Sequence, residues 1–503
     1  MRALSSFGAA FQRRLYVVSS IALLASCSSS SSAPSTTATP STPDDRPPTP
    51  AEWDRAVTRP EEATAATQRA ACSFQRGALA EETLGAALPT GKDIPIETIV
   101  VLMQENRSFY HYFVRFSRWV GRTDIESATE SDANPETTSG TGAAGGGPVM
   151  HAWHHAEHVC FSDTDHSWEA SHTQYGDAKM NGFYVTNHGA GPQEDGARAL
   201  SYYDERDIPF YYALAKEFAI GDHYHCSLLG PTWPNRMFLL AGTSFGESDN
   251  VFPNLSASPF PDNDAVILDE LEKRHIDWKL YTTGGPPGAS VVLGPSIGTR
   301  WNRSVVGSLD EMMAAAAAGT LPAVAFVDMN FAKEGDAHAE DEHPPGDIQI
   351  GQQLVASVVK SLTSSPQWPH LAMFLTYDEH GGIYDHVPPP SACAPDGKGP
   401  VDKNGKPVPG AFDRLGFRVP FTVVSPYAKR GYVSHAVLDH TSILRFVEAK
   451  FRVPALTARD ANAMAPYDFF DFQAAPRLDV PALPEAVIDP TDLAYCEATF
   501  AKP

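Results

Sequence analysis

The chain of 503 residues reads as an α/β protein with a largely parallel central sheet covered by helices on both faces. Three observations predict this. Short apolar runs of strand length recur at Ile96–Met103, Ala323–Asp328, Leu371–Tyr377 and Phe421–Ser425. Helix-like stretches lie between them or after them, at Pro209–Ala219, Ser308–Ala318, Ile350–Leu362 and His440–Phe451. The first and third apolar runs pass directly into dense polar segments, as strands of an open parallel sheet do where they end at a ligand site.

The N-terminus is a targeting segment. Arg2, Arg13 and Arg14 form a basic region, and Leu15 to Ala25 is an apolar run too short to span a bilayer. Leu24-Ala25-Ser26-Cys27 resembles a bacterial lipobox, in which the cysteine becomes the lipidated N-terminus. The prediction is a lipoprotein signal peptide over residues 1–26 and export, with Cys27 anchored to a bacterial membrane on the periplasmic side or cell surface. Arg13-Arg14 leaves Sec and twin-arginine export both open. Residues 27–92 read as a Ser/Thr/Pro-rich tether and lead-in, residues 93–475 as the folded domain, and residues 476–503 as a Pro-rich C-terminal tail. Asn134 to Gly147, rich in Gly, Thr and Ala, reads as a surface insertion.

The formal net charge of -23 argues against nucleic acid, whose phosphate backbone wants a basic face. It also fails to attract an anionic substrate, so a bound cation would have to supply the local positive field. Downstream of Cys27 the cysteines are Cys72, Cys160, Cys226, Cys393 and Cys496. Export permits disulfides, and an odd number leaves at least one thiol free or paired with another chain.

The chemistry collects at strand ends. Val100–Met103 runs into Gln104-Glu105-Asn106-Arg107-Ser108, and Leu371–Thr376 into Tyr377-Asp378-Glu379-His380-Gly381-Gly382. If the two ends converge, Glu105, Asp378 and Glu379 meet, with the amide of Asn106 beside them. Such carboxylates repel unless a cation sits among them, and an oxygen-only set favours one hard divalent ion. Gly230-Pro231-Thr232-Trp233-Pro234-Asn235-Arg236 precedes an apolar helical run, so Thr232 falls near the helix N-cap, where phosphate also binds. A hydroxyl there beside a metal can become a nucleophile, although a plain N-cap is the commoner use of such a residue. Six of the 18 histidines fall between His151 and His172. Asp165-His166-Ser167-Trp168 and Glu342-His343-Pro344-Pro345 stand out as polar knots suited to holding a phosphoryl oxygen or protonating a leaving alkoxide.

Read together, these stretches resemble the bacterial phospholipase C and acid phosphatase family. Val100–Phe109 is similar to its opening block, and Asp165–Trp168 with Lys179–Phe183 to the second. Leu229–Arg236 is similar to the nucleophile block, and Glu342–Pro345 and Thr376–Gly382 to the next two. Gly416–Pro420 and Ser434–Arg445 are similar to the closing blocks. The resemblance spans roughly residues 93 to 455 and implies an alkaline-phosphatase-like α/β fold. It implies that Glu105, Asn106, Thr232, Asp378 and Glu379 bind the metal, that Thr232 is the nucleophile, and that His343 and His166 serve as phosphate-binding or acid residues. Residues 93–475 then become a phosphoesterase catalytic domain. The expected activity is metal-dependent hydrolysis of phosphate esters, with phospholipase-C-type diesters favoured and phospholipid head groups among the substrates. Acid phosphatase action on monoesters is the alternative, and a catalytically silent surface ligand-binding lipoprotein the rival of another class. Tyr110 and Val114 depart from the family pattern, where Asp and Gly are usual, and predict a changed pocket lining. Asp222-His223-Tyr224-His225 is also unusual, and His275 is the only histidine near where the family's acid phosphatases carry a further active-site one.

Overall fold

The computed structural model describes residues 46–129, 131–137, 148–189, 195–251, 266–284, 301, 304–331 and 335–500. The expected signal peptide, Cys27 and the start of the tether lie outside the described residues, as does 138–147 of the expected insertion. The described residues form an eight-stranded sheet. In chain order its strands are β1 (Thr98–Gln104), β2 (Ala219–Gly221), β3 (Trp278–Thr282), β4 (Val306–Ser308), β5 (Val324–Asp328), β6 (Leu371–Tyr377), β7 (Phe421–Val424) and β8 (Tyr432–Ser434). Their spatial order is β8-β2-β7-β6-β1-β5-β3-β4.

The four apolar runs became β1, β5, β6 and β7. Every residue of β1 and β6 is buried, on both sides of the pleat, so helices cover both faces. β1 pairs in parallel with β6, from Thr98 opposite Leu371 to Gln104 opposite Tyr377, and also with β5. β3 is parallel to β5 and β4, and β8 to β2. β7 runs antiparallel to β6 and to β2. The α/β expectation therefore holds. β2, β4 and β8 were not foreseen because strands of three residues carry little periodicity, and β3 because Lys279 interrupts its apolar run.

The helices α1 (Pro209–Glu217), α2 (Thr232–Ala241), α3 (Leu309–Ala318), α4 (Ile348–Thr363) and α5 (His440–Phe451) lie where the sequence puts them. Their starts have local causes. Ser308 accepts from the Glu311 amide to cap α3, and Asp347 from Gln349 to cap α4. No helix among the described residues is long and apolar enough to cross a membrane.

Three segments differ from expectation. Residues 46–92 are packed onto the domain rather than strung out as tether and lead-in. Trp53, Leu79 and Leu84 are buried, Glu62–Ala70 is helical, and Cys72 is disulfide-bonded to Cys393. The Pro-rich C-terminal tail, which the sequence reads as wrapping the surface, does so, but it carries a helix that was not expected: Pro490–Phe500 forms α6, pinned by Cys160–Cys496, and Gln349 donates to Asp492. In both cases a disulfide fixes a segment whose own apolar content is sparse. Asn134 belongs to the core, not to an insertion: it is buried, and its side-chain oxygen accepts from the Phe183 amide. Cys226 is a buried free thiol.

Candidate active site

The sheet register brings the two polar strand ends together. Because Gln104 lies opposite Tyr377, Glu105-Asn106 and Asp378-Glu379 leave the sheet side by side. All four side chains are fully buried. The Asn106 amide donates to Asp378 Oδ1 at 3.1 Å, which holds Asn106 in a left-handed conformation (φ 62°) that asparagine tolerates. Gly381 (φ 66°) passes so close that a Cβ there would lie 2.3 Å from the Asn106 carbonyl oxygen. Gly381 is thus dictated by the close approach of the β1 end, and Gly382 by that of the His166 loop, since a Cβ there would lie 2.5 Å from the Asp165 carbonyl oxygen.

Thr232 is the first residue of α2, with Pro231 rather than Thr232 at the N-cap. Asn235 fixes the loop before it. Its side-chain oxygen accepts from the Ser227 and Leu228 amides at 2.9 and 3.1 Å, and its amide group donates to the Gly230 and Pro231 carbonyls. Arg236 stands one turn beyond Thr232, so the two side chains share a helix face. Arg236 reaches Glu105 at 3.1 Å, Asp328 at 2.9 Å and Asp378 at 3.1 Å. The face of α2 that carries Thr232 is therefore turned toward the carboxylates.

Glu105, Asp328, Asp378 and Glu379 bring four carboxylates into one buried region, and Arg236 offsets only part of their charge. Asn106 Oδ1 and Glu379 Oε1 are buried without a hydrogen-bond partner among the described residues. The other Glu379 oxygen accepts from the Gly381 amide at 2.7 Å. Buried oxygens left without a hydrogen-bond partner fit a hard divalent cation, as the donor types do.

His166 joins this group from the loop before the Trp168–Tyr175 helix. Its Nε2 lies 3.3 Å from Asn106 Nδ2 and 3.8 Å from Glu379 Oε1, and its Nδ1 is 2.7 Å from the Thr164 carbonyl oxygen. Burial disfavours its cation, but Glu379, Asp163 and the Thr164 carbonyl hold its pKa above the ordinary imidazole range. Burial raises the Glu379 carboxyl well above the carboxylate range, the His166 charge opposes that, and Asp378 adds to it. The His343 ring lies 5.8 Å from that of His166, centroid to centroid. His166 and Pro231 line an open cleft of about 650 Å³, with Asp163, Thr164, Arg198 and Asn250. A second cavity of about 210 Å³, walled by Trp153, Phe161 and Tyr495, shares Ser162 and Arg198 with it.

Residues 96–454 match the model of the phosphoesterase family. This chain belongs to that family. It is 32% identical to non-specific phospholipase C1 of Arabidopsis thaliana over 416 residues, covering 78% of this chain and 74% of that one. It is 31% identical to phospholipase C B of Mycobacterium tuberculosis strain H37Rv over 467 residues, covering 84% and 86%. A solved protein in the alkaline phosphatase superfamily from Vibrio parahaemolyticus aligns over 81% of this chain and 80% of that one, at 9% identity and a TM-score of 0.36.

In this phosphoesterase the sequence-selected residues Asn106, Asp378, Glu379 and His166 are linked by direct contacts, Glu105 joins them through Arg236, His343 faces His166, and Thr232 lies one helical turn before Arg236. Sequence reasoning missed Asp328, although it closes an apolar run that was read as a strand. It also gave no role to Arg236, or to His440, whose Nε2 lies 2.7 Å from the Asp378 carbonyl oxygen. Tyr110 and Val114 do not line the cleft. Both are buried in a side core, with Tyr110 donating to Asp132 at 3.0 Å. His275 is remote: its Nε2 lies 3.1 Å from the Pro47 carbonyl oxygen in the lead-in.

Proposed function

We propose that this hydrolase cleaves phospholipase-C-type phosphodiesters, with Thr232 as nucleophile and one divalent ion held by Glu105, Asn106, Thr232, Asp378 and Glu379. The observation that carries the reading is the pair of buried oxygens on Asn106 and Glu379 that lack a hydrogen-bond partner among the described residues, at the strand ends that Arg236 of α2 reaches. When bound, the ion supplies a Lewis acid for the phosphoryl oxygens and favours ionisation of the threonine hydroxyl. Thr232 Oγ then forms a bond to phosphorus as the bond to the alcohol oxygen breaks. His166, already biased toward its cation, and His343 are placed to hold a phosphoryl oxygen or protonate the departing alkoxide. Water hydrolyses the phosphothreonine, returning the hydroxyl. The aromatic-walled cavity beside the cleft offers room for the second ester group of a diester, which a monoester lacks.

The test is initial rates on nitrophenylphosphorylcholine and nitrophenyl phosphate across pH, with a chelator and then added divalent ions. Metal-restored cleavage of the choline diester is expected, and Thr232→Ala abolishes it. Activity confined to the monoester at acid pH would make the protein an acid phosphatase. Near-normal rates in Thr232→Ala would remove the nucleophile assignment.

We further propose export and lipid anchoring through Cys27. Two disulfides suit an oxidising compartment. Cys27→Ser should release the protein from membranes and abolish fatty-acid labelling. Unchanged membrane association and labelling would refute the anchor.

A further inference from the structure

A second group of metal-type side chains lies at the same edge of the sheet. β6 is antiparallel to β7, β7 to β2, and β2 is parallel to β8, so β2, β6 and β8 all end on one side. Asp222 follows β2 and His435 follows β8, two and three strands from the end of β6. At about 4.8 Å per strand this places them roughly 10–14 Å from Asp378. His223 is the neighbour of Asp222.

The three side chains converge. Asp222 Oδ1 lies 2.9 Å from His223 Nδ1 and 2.9 Å from His435 Nδ1. One ligand atom from each residue falls within 4.8 Å of the others. In a tetrahedral site with arms of about 2.0–2.1 Å, donor atoms stand about 3.3 Å apart, so the two Asp222–imidazole separations need shifts of only a few tenths of an ångström, and the two imidazoles close on each other by a side-chain movement of up to about 1.5 Å. The Asp222 carboxylate is buried while the His435 side chain is 48% exposed and that of His223 27%. An ion can therefore enter from solvent, and water can complete its shell. Burial works against the Asp222 anion, but His223, the Glu126 amide and His435 together hold its pKa below the ordinary range.

Neighbouring charges do not already satisfy the cluster. Arg418 donates to the Asp222 backbone carbonyl, and its charge is matched by Asp385. Asp124 lies 4.0 Å from His435 Nε2, and Arg122, which also feels the Asp222 charge, is held on the Asp124 carboxylate at 2.5 and 3.0 Å and donates no hydrogen bond to Asp222 among the described residues. The comparable group His154, Asp204 and Asp207 differs, because Arg206 binds the Asp204 carboxylate at 2.6 Å and takes the place of a cation. His225, two residues beyond His223, faces away: its Nδ1 lies 2.8 Å from the Gly416 carbonyl oxygen.

We propose that Asp222, His223 and His435 form a second metal site, for a borderline ion such as zinc, clamping the ends of β2 and β8 together. Its two-nitrogen, one-oxygen donor set separates it in preference from the oxygen-rich catalytic group. The proposal does not depend on the catalytic reading.

The test uses the full chain, stripped with a chelator and titrated with zinc or cobalt by calorimetry and visible absorption. The wild type, Glu379→Gln and His223→Ala are compared, with circular dichroism as a check of folding. A binding event is expected in the wild type and in Glu379→Gln, with a cobalt spectrum typical of imidazole ligands. His223→Ala should weaken that event by about a hundredfold or more. His435→Ala, added as a fourth variant, should weaken the event likewise, and if it fails to fold the half-buried His223 still decides the matter. Wild-type affinity and stoichiometry in folded His223→Ala, or no zinc-binding event that survives Glu379→Gln, would overturn the proposal.

Discussion

Arg236→Met tests the electrostatics of the active site. Arg236 is almost completely buried and sits within about 3 Å of three carboxylates, at 3.1, 2.9 and 3.1 Å. Methionine keeps much of its volume and removes its charge. Removing one partner of a buried ion pair typically costs about 3–5 kcal/mol, because the remaining charge is stranded. Three stranded carboxylates share the loss here, and protonation of one relieves part of it, so about 4 kcal/mol is the working figure. For a unit of some 450 residues, an unfolding entropy of about 2.1 cal/mol/K per residue converts this to a melting-point drop of roughly 4 °C. The assay is differential scanning calorimetry in chelator and then in excess magnesium, manganese or calcium. Added ion should recover more of the melting point in Arg236→Met than it adds to the wild type, since a cation takes over the lost charge. Equal melting points for variant and wild type in chelator would refute the reasoning. So would a drop that no divalent ion reduces, because the carboxylates would then not be sharing a cation's field.

Other outcomes follow from the same geometry. Gly381→Ala should destabilise the protein by a few kcal/mol and cut turnover, because its Cβ would meet the Asn106 carbonyl at 2.3 Å; a melting point within a degree of wild type would contradict the close approach. Burial and the nearby Asp492 raise Asp347 to about 6, against the Gln349 amide that lowers it. Its folded-state pKa thus lies above its unfolded value, so the stability tied to its protonated form is present below about pH 4 and lost as pH rises through about 6. Asp347→Asn, which can still cap α4, should gain stability relative to wild type over that window, and denaturant melts showing a pH-independent difference would refute it. Cys496→Ser should free α6 and cost about 2–5 kcal/mol, read as a lower denaturation midpoint and faster proteolysis after residue 480.

Much of the fold was legible because its central strands and its helices announce themselves locally. β1 and β6 are continuous apolar runs bounded by polar segments, and α2 to α5 carry helical periodicity of ten residues or more. The candidate site was legible for the same reason: Glu105, Asn106, Asp378 and Glu379 stand at the ends of those strands, and dense polar residues after a buried strand require an explanation. The packing of the lead-in and the helix that closes the C-terminal tail were not legible. Their order comes from Cys72–Cys393 and Cys160–Cys496, which join residues more than 300 positions apart, and no local pattern encodes such a partner.

The sequence by itself determined the α/β class, the strand ends that carry Glu105, Asn106, Asp378 and Glu379, and the threonine that heads α2, because each depends on residues within a few positions of one another. Only the tertiary structure decided that Arg236 bridges Glu105, Asp328 and Asp378, that Tyr110 and Val114 belong to a side core, and that His435 meets Asp222 and His223. Those relations depend on strand order and register across the sheet, which hydrogen bonding and packing of distant segments set, and a one-dimensional pattern does not contain them.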